Sequence, residues 1–167
     1  MKILVTGSYG QLGRSLFNYL KSNNEILLTG RNIPLSMNGF YLDICDRLNL
    51  RDLISLHNPD ILINLAALTN VDLCENNSDL AREINTNGVR NICDIFRGKI
   101  VQLSTDYVFD GKNGPYVEED EVFPLSVYGK TKLEAENIVS SHSSDNLIIR
   151  GNVLYDNCLS TRASFLN

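Results

Sequence analysis

Tyr128 is followed four residues later by Lys132. On a helix that spacing puts both side chains on one face, within reach of the same ligand. A phenol of reference pKa about 10 serves as a general acid near neutral pH when an ammonium lowers its pKa and a neighbouring hydroxyl shares the substrate oxygen. Ser104 and Thr105 offer that hydroxyl, provided the fold brings them beside Tyr128. At average composition roughly one chain of this size in three holds a Tyr-x-x-x-Lys by chance, and the plain alternative is a pair on a helix surface. The chemistry therefore stands or falls with the elements that position these residues.

The first of those elements is the stretch from Met1 to Leu20, MKILVTGSYGQLGRSLFNYL. Ile3, Leu4 and Val5 form an apolar run too short for a helix and long enough for a strand buried on both faces. Gly7, Gly10 and Gly13 follow, and then Leu12, Leu16, Phe17 and Leu20 recur at helical spacing. A chain that passes from strand through a glycine turn into a helix has the geometry that cradles a phosphate. Gly7 permits the tight turn, Gly10 lets the backbone approach a pyrophosphate, and Gly13 allows the helix to pack closely on the strand. Ordinary turn chemistry would also use glycines here.

Beyond Leu20, strand and helix alternate. Glu25 to Thr29, Phe40 to Asp43, Ile61 to Asn64, Ile100 to Ser104 and Leu147 to Arg150 read as the second to sixth strands. Asp46 can cap a helix carrying Leu50, Leu53 and Ile54 and ended by Pro59. A long helix from Ser78 or Asp79 runs through Phe96 and stops at Gly98, and another spans about Ser126 to His142. This pattern predicts an α/β chain, a doubly wound parallel sheet (Rossmann fold), with residues 1–167 as one dinucleotide-binding domain. In such a sheet the ligand lies across the C-terminal strand ends. The glycine turn, Arg31, Ala66-Ala67 and Ser104-Thr105 all fall at those ends.

Arg31 carries specificity. An acidic residue at the end of the second strand would bind the ribose hydroxyls of NAD, whereas an arginine can pair with a 2′-phosphate. Arg31 therefore favours NADP over NAD, a solvated surface arginine being the alternative. Asp43 and the adjoining Ile44 follow the third strand, where an adenine could be met.

Composition narrows the partners. Net charge is −5 with no Lys/Arg cluster, which argues against nucleic acid because phosphate contacts need a basic face. No apolar run approaches a membrane span and no signal peptide is expected at the N-terminus. Cys45, Cys74, Cys93 and Cys158 are scattered without a Cys-x-x-Cys pair, so neither a metal site nor a disulfide framework is indicated, and a reducing cytoplasm fits. His57 and His142 stand far apart in polar helical contexts and read as surface residues.

With these residues in view, the segments VTGSYGQLG, INLAALTNVDLCE, STDYVFDG followed by PYVEED, and PLSVYGKTKLEAE together resemble the dTDP-4-dehydrorhamnose reductase family of extended short-chain reductases. The resemblance covers about residues 1 to 155, and the Gly-x-x-Gly-x-x-Gly spacing is the form seen in that class. It implies that Thr105, Tyr128 and Lys132 are the catalytic hydroxyl, the general acid and the supporting lysine. Gly7, Gly10, Gln11, Leu12 and Gly13 would form the pyrophosphate loop, and Ala66-Ala67 the segment beneath the cofactor. Thr69 and Asp72 would belong to a loop over the nicotinamide, and Asn85 to a helix whose backbone bends toward the lysine. The implied reaction is hydride delivery from NADPH to a keto carbon of a nucleotide-linked deoxysugar, with Tyr128 protonating the oxygen. Lys132 would bind the nicotinamide ribose and favour ionisation of Tyr128.

At the C-terminus the resemblance predicts a departure. Family members continue past the sixth strand into most of the sugar-nucleotide pocket, whereas this sequence ends at SFLN, inside a helix expected from near Ser160, and Gly151 replaces the family's usual threonine. A homodimer, or a second chain supplying the remaining half, is one expectation. The alternatives are an NADP-binding regulatory subunit without turnover, as some relatives are, and an inactive remnant.

Overall fold

The computed structural model describes residues 1–152. The helix expected from near Ser160, with Phe165 on it, lies outside them. β1 (Lys2–Thr6) is the continuous apolar run expected of a strand covered on both faces, with Leu4 fully buried. It pairs in parallel with β2 (Glu25–Gly30) on one side and with β4 (Ile61–Asn64) on the other. β3 (Phe40–Tyr41) extends the first edge, and β5 (Lys99–Thr105) and β6 (Leu147–Gly151) extend the second. All pairings are parallel in the order β3-β2-β1-β4-β5-β6, so the sheet is doubly wound and its strand order reverses between β1 and β4.

α1 (Gln11–Leu20) follows the glycine turn. α2 (Arg47–His57) starts where Asp46 accepts the N–H groups of Leu48 and Asn49 at 3.0 and 3.1 Å, and Asn58 ends it in the left-handed region at φ 46°. Asp46→Ala should therefore cost about 1 kcal/mol of stability, read as a lowered urea midpoint at unchanged slope. Leu4, Leu50, Leu62, Ile92 and Ile100 form the centre of the core between sheet and helices.

Three stretches differ from the expected pattern. The third strand ends at Tyr41 rather than Asp43, because Leu42 and Ile44 turn into the core and the Asp43 carboxylate instead accepts the Cys45 N–H at 3.0 Å. A short helix, α3 (Val71–Asn76), capped by Asn70, occupies part of what reads as loop. The expected long helix is α4 (Ser78–Arg82), a π-turn (Glu83–Asn87) and α5 (Gly88–Ile95), helical throughout but widened in the middle. α6 (Val127–His142) spans the expected stretch, with Ser126 as its cap. Both histidines are partly covered rather than fully at the surface, and the His57 ring lies 4.4 Å from that of Phe40. Among the described residues, no helix is long and apolar enough to cross a membrane.

Candidate active site

The site is built where β1 gives way to α1. Gly7 takes φ 64°, and a Cβ on it would stand 2.8 Å from the Ala66 nitrogen, so the turn and the segment after β4 pack backbone to backbone. A Cβ on Gly13 would stand 2.4 Å from the Ser8 carbonyl, which is the close helix approach expected of that position. Gly10 is the N-cap of α1 with no side-chain cap, and no acidic residue sits in the first turn. The N–H groups there and the positive end of the helix are left for an anion.

A cavity of about 360 Å³ opens over these strand ends. Gly7, Gly10, Gln11, Leu12 and Gly13 form one wall, and Leu65, Thr69 and Val71 come from the segment after β4. Ser104 and Thr105 from β5, Tyr128 from α6 and Gly151 from β6 close the opposite side. The turn, the hydroxyl pair and the tyrosine, far apart in sequence, therefore meet at one cavity. The Thr105 hydroxyl donates to the Asp106 carboxylate at 3.1 Å and accepts the Tyr107 N–H at 3.2 Å, and it stands near enough to the Tyr128 phenol to lower its pKa. Edge-on contact with the Tyr107 ring, 5.8 Å between centroids, holds the Tyr128 ring.

Lys132 departs from expectation. It does not line the cavity but lies beneath it, 3% exposed, with Nζ donating to the Leu103 carbonyl at 2.6 Å. An exposed helix pair is thereby excluded for Tyr128 and Lys132. Burial lowers the Lys132 pKa to about 8, partly opposed by the Glu136 carboxylate. Burial also raises the Tyr128 pKa, and the Thr105 side chain works against that by lowering it. The ammonium is held on a β5 backbone carbonyl and is not part of the cavity lining.

The remaining candidates lie around this centre. Arg31 is exposed just past β2, with its guanidinium 4.0 Å from the Asp43 carboxylate, outside the cavity. The Ile44 side chain is in the core against Gly88, which leaves only its backbone to meet a ligand. Ala66 and Ala67 are half-buried, with the Ala66 N–H turned inward to Thr6 Oγ1 and Asn64 Oδ1. Asp72 is exposed on α3 and not on a loop. Asn85 sits in the π-turn and clamps Leu68, accepting its N–H at 2.7 Å and donating to its carbonyl at 3.0 Å; the same amide donates to the Thr131 hydroxyl at 3.1 Å. That clamp fixes the segment carrying Thr69.

Two buried polar sets were not foreseen. Thr6, Asn64 and Gln102 hydrogen-bond in a ladder across β1, β4 and β5 that ends on the Leu103 carbonyl. Ser104, Glu136 and Arg150 form a second set across β5, α6 and β6. Polar residues closing otherwise apolar strand runs, Asn64 after Ile61–Ile63 and Gln102 within 100–103, were the available signal.

The family model for the RmlD substrate binding domain matches residues 1–167. The chain belongs to that family. A curated member from Aggregatibacter actinomycetemcomitans is 38% identical over 89% of this chain and 50% of its own length. The crystal structure of a dTDP-4-dehydrorhamnose reductase from Clostridium acetobutylicum is 41% identical with a TM-score of 0.86, covering 99% of this chain and 57% of that one. A Bacillus anthracis dTDP-4-dehydrorhamnose reductase in complex with NADP is 31% identical with a TM-score of 0.85, covering 96% of this chain and 56% of that one. This family member thus spans about half the length of the relatives it matches.

Proposed function

We propose that this chain carries the cofactor-binding and catalytic half of an NADPH-dependent reductase acting on a nucleotide-linked 4-keto-6-deoxysugar. The observation that carries the reading is the meeting of the glycine turn, Thr105 and Tyr128 at one cavity with Lys132 directly beneath it. The residues fit a dinucleotide. Gly10 leaves space open above the free N–H groups of α1, and Gly7 and Gly13 hold the turn in shape. Reduced nicotinamide, when bound, supplies the hydride.

The chain's own residues do the rest. As hydride reaches the keto carbon, the carbonyl electron pair moves onto oxygen and needs a proton. Tyr128 is the donor, and burial keeps its phenol protonated through neutral pH. Thr105 stands beside that phenol and can turn its hydroxyl from Asp106 to the substrate oxygen. Lys132 uses one donor on Leu103, and in this reading its other two N–H groups serve a ribose placed at the end of β5. The test is calorimetric NADPH binding by this chain, followed by NADPH oxidation with a nucleotide-linked 4-keto-6-deoxysugar. The second assay uses the chain alone and fused to the remaining segment of a relative. Binding and turnover are expected of the fusion; absence of NADPH binding in both forms would sink the proposal.

Arg31 sets the cofactor preference in this reading. Its exposed side chain makes only a long contact with Asp43 and can swing to a 2′-phosphate. NADPH should bind roughly ten- to a hundredfold more tightly than NADH, the worth of one charge-assisted contact, and Arg31→Asp should reverse the order. Equal affinities in both proteins would remove Arg31 from the site.

A further inference from the structure

Glu136 lies one helical turn beyond Lys132 on α6 and is 4% exposed. Its carboxylate accepts the Ser104 hydroxyl, and it receives Nε of Arg150 at 3.1 and 3.3 Å and Nη2 at 2.8 Å. Ser104 immediately precedes Thr105, and Leu103, the partner of Lys132, immediately precedes Ser104. One carboxylate therefore touches the strand end that holds the hydroxyl and lies one helical turn from the lysine bound to the same strand. Arg150 is in turn tied to the Glu118 carbonyl at 3.1 Å and lies 5.2 Å from the centre of the Phe109 ring, so the loop before α6 is fastened to the same pair.

We infer that Glu136, ion-paired to Arg150, is a positioning residue for Lys132 and for the Thr105 end of β5. Three consecutive β5 residues are fixed by two residues of one helix face: Leu103 by Lys132, Ser104 by Glu136, and Thr105 through its neighbour. Removing the carboxylate frees the Ser104 hydroxyl and leaves Lys132 without its compensating charge. The opposing contributions of burial and of Glu136 to Lys132 agree with this arrangement. Four other charged groups around α6 are engaged elsewhere, and Lys130 of α6 is exposed. Arg82 of α4 pairs with Glu134, Glu75 of α3 accepts the Val127 N–H, Asp94 of α5 pairs with Arg47, and Asp106 accepts from Thr105. The groups that β5 presents to the pair, the Leu103 carbonyl and the Ser104 hydroxyl, are neutral.

The two partners of this pair make opposite predictions. Glu136→Gln keeps the shape and deletes the negative charge, so Lys132 should lose its proton at lower pH, by on the order of one pH unit. Arg150→Met deletes the positive charge and leaves Glu136 to act on Lys132 unopposed, so the same titration should move up. The measurement is the pH dependence of the Lys132 ε-carbon resonance in the full chain with labelled lysine, assigned by its loss in Lys132→Arg, with thermal melts confirming that each variant is folded. A merely structural pair would move neither midpoint or both in one direction, and either outcome overturns the inference. If one variant does not fold, the sign of the other decides. Its catalytic consequence rests on the reductase reading, but the titration needs no cofactor. Failure to bind NADPH would sink that reading while leaving this test intact.

Discussion

Gly10→Val is expected to weaken NADPH binding by more than about a hundredfold while the chain stays folded. The backbone at Gly10 has φ −72°, which valine adopts without strain, and a Cβ there meets only the Gly7 carbonyl oxygen, at 3.3 Å. The remainder of the side chain projects into the cavity over the N-terminus of α1, where the pyrophosphate of the proposed cofactor belongs. Two charge-assisted contacts, each worth roughly 1.5–3 kcal/mol, would be lost there. Fold stability should fall by only about 1 kcal/mol, since a β-branched residue is a poor N-cap. Gly13→Val is the contrast. Its Cβ would meet the Ser8 backbone at 2.4 Å, so stability and binding should fail together. Calorimetry and a thermal melt on both variants separate the two glycines. Near-normal NADPH affinity in Gly10→Val would reduce that glycine to a turn residue.

What the sequence made legible was what local patterns control. Strands covered on both faces must be apolar throughout, so Ile3 to Val5 and Ile61 to Ile63 announce a parallel sheet. Asp46 and Ser126 announce helix starts because a cap is satisfied within its own turn. The π-turn follows a different logic. Asn85 is drawn inward by Leu68 and Thr131, partners 17 and 46 residues away, and no window of sequence contains both. The buried face of α6 was equally hidden. It carries Gly129, Thr131, Lys132 and Glu136 beside Ala135 and Val139, so hydrophobic periodicity does not mark which side points in. That face is polar because it supports the candidate site. The spacing of Tyr128 and Lys132 identified the pair but left open that one would line the cavity and the other lie beneath its floor.

Tyr128→Phe should leave NADPH affinity near that of the parent and lower turnover by roughly 10²–10⁴-fold, the usual worth of a positioned acid. The substitution keeps the ring and its edge-on contact with Tyr107, and deletes only the hydroxyl beside Thr105. Lys132→Ala should damage binding and turnover together, because it removes the donors proposed for the ribose and leaves a gap under β5. The pH profile divides the two roles further. Lys132 is charged below about pH 8 and neutral above it, whereas burial holds the Tyr128 phenol protonated to still higher pH. The first alkaline fall in kcat/KM should therefore come near pH 8 and belong to the lysine, and Lys132→Arg, always charged, should abolish it at some cost in the plateau. Loss of the phenol should lower the whole profile without moving that limb. An active fusion in which Tyr128→Phe retains most of its rate would show that the proton comes from elsewhere, and the Thr105–Tyr128 pair would then be an orienting contact with no part in the transfer.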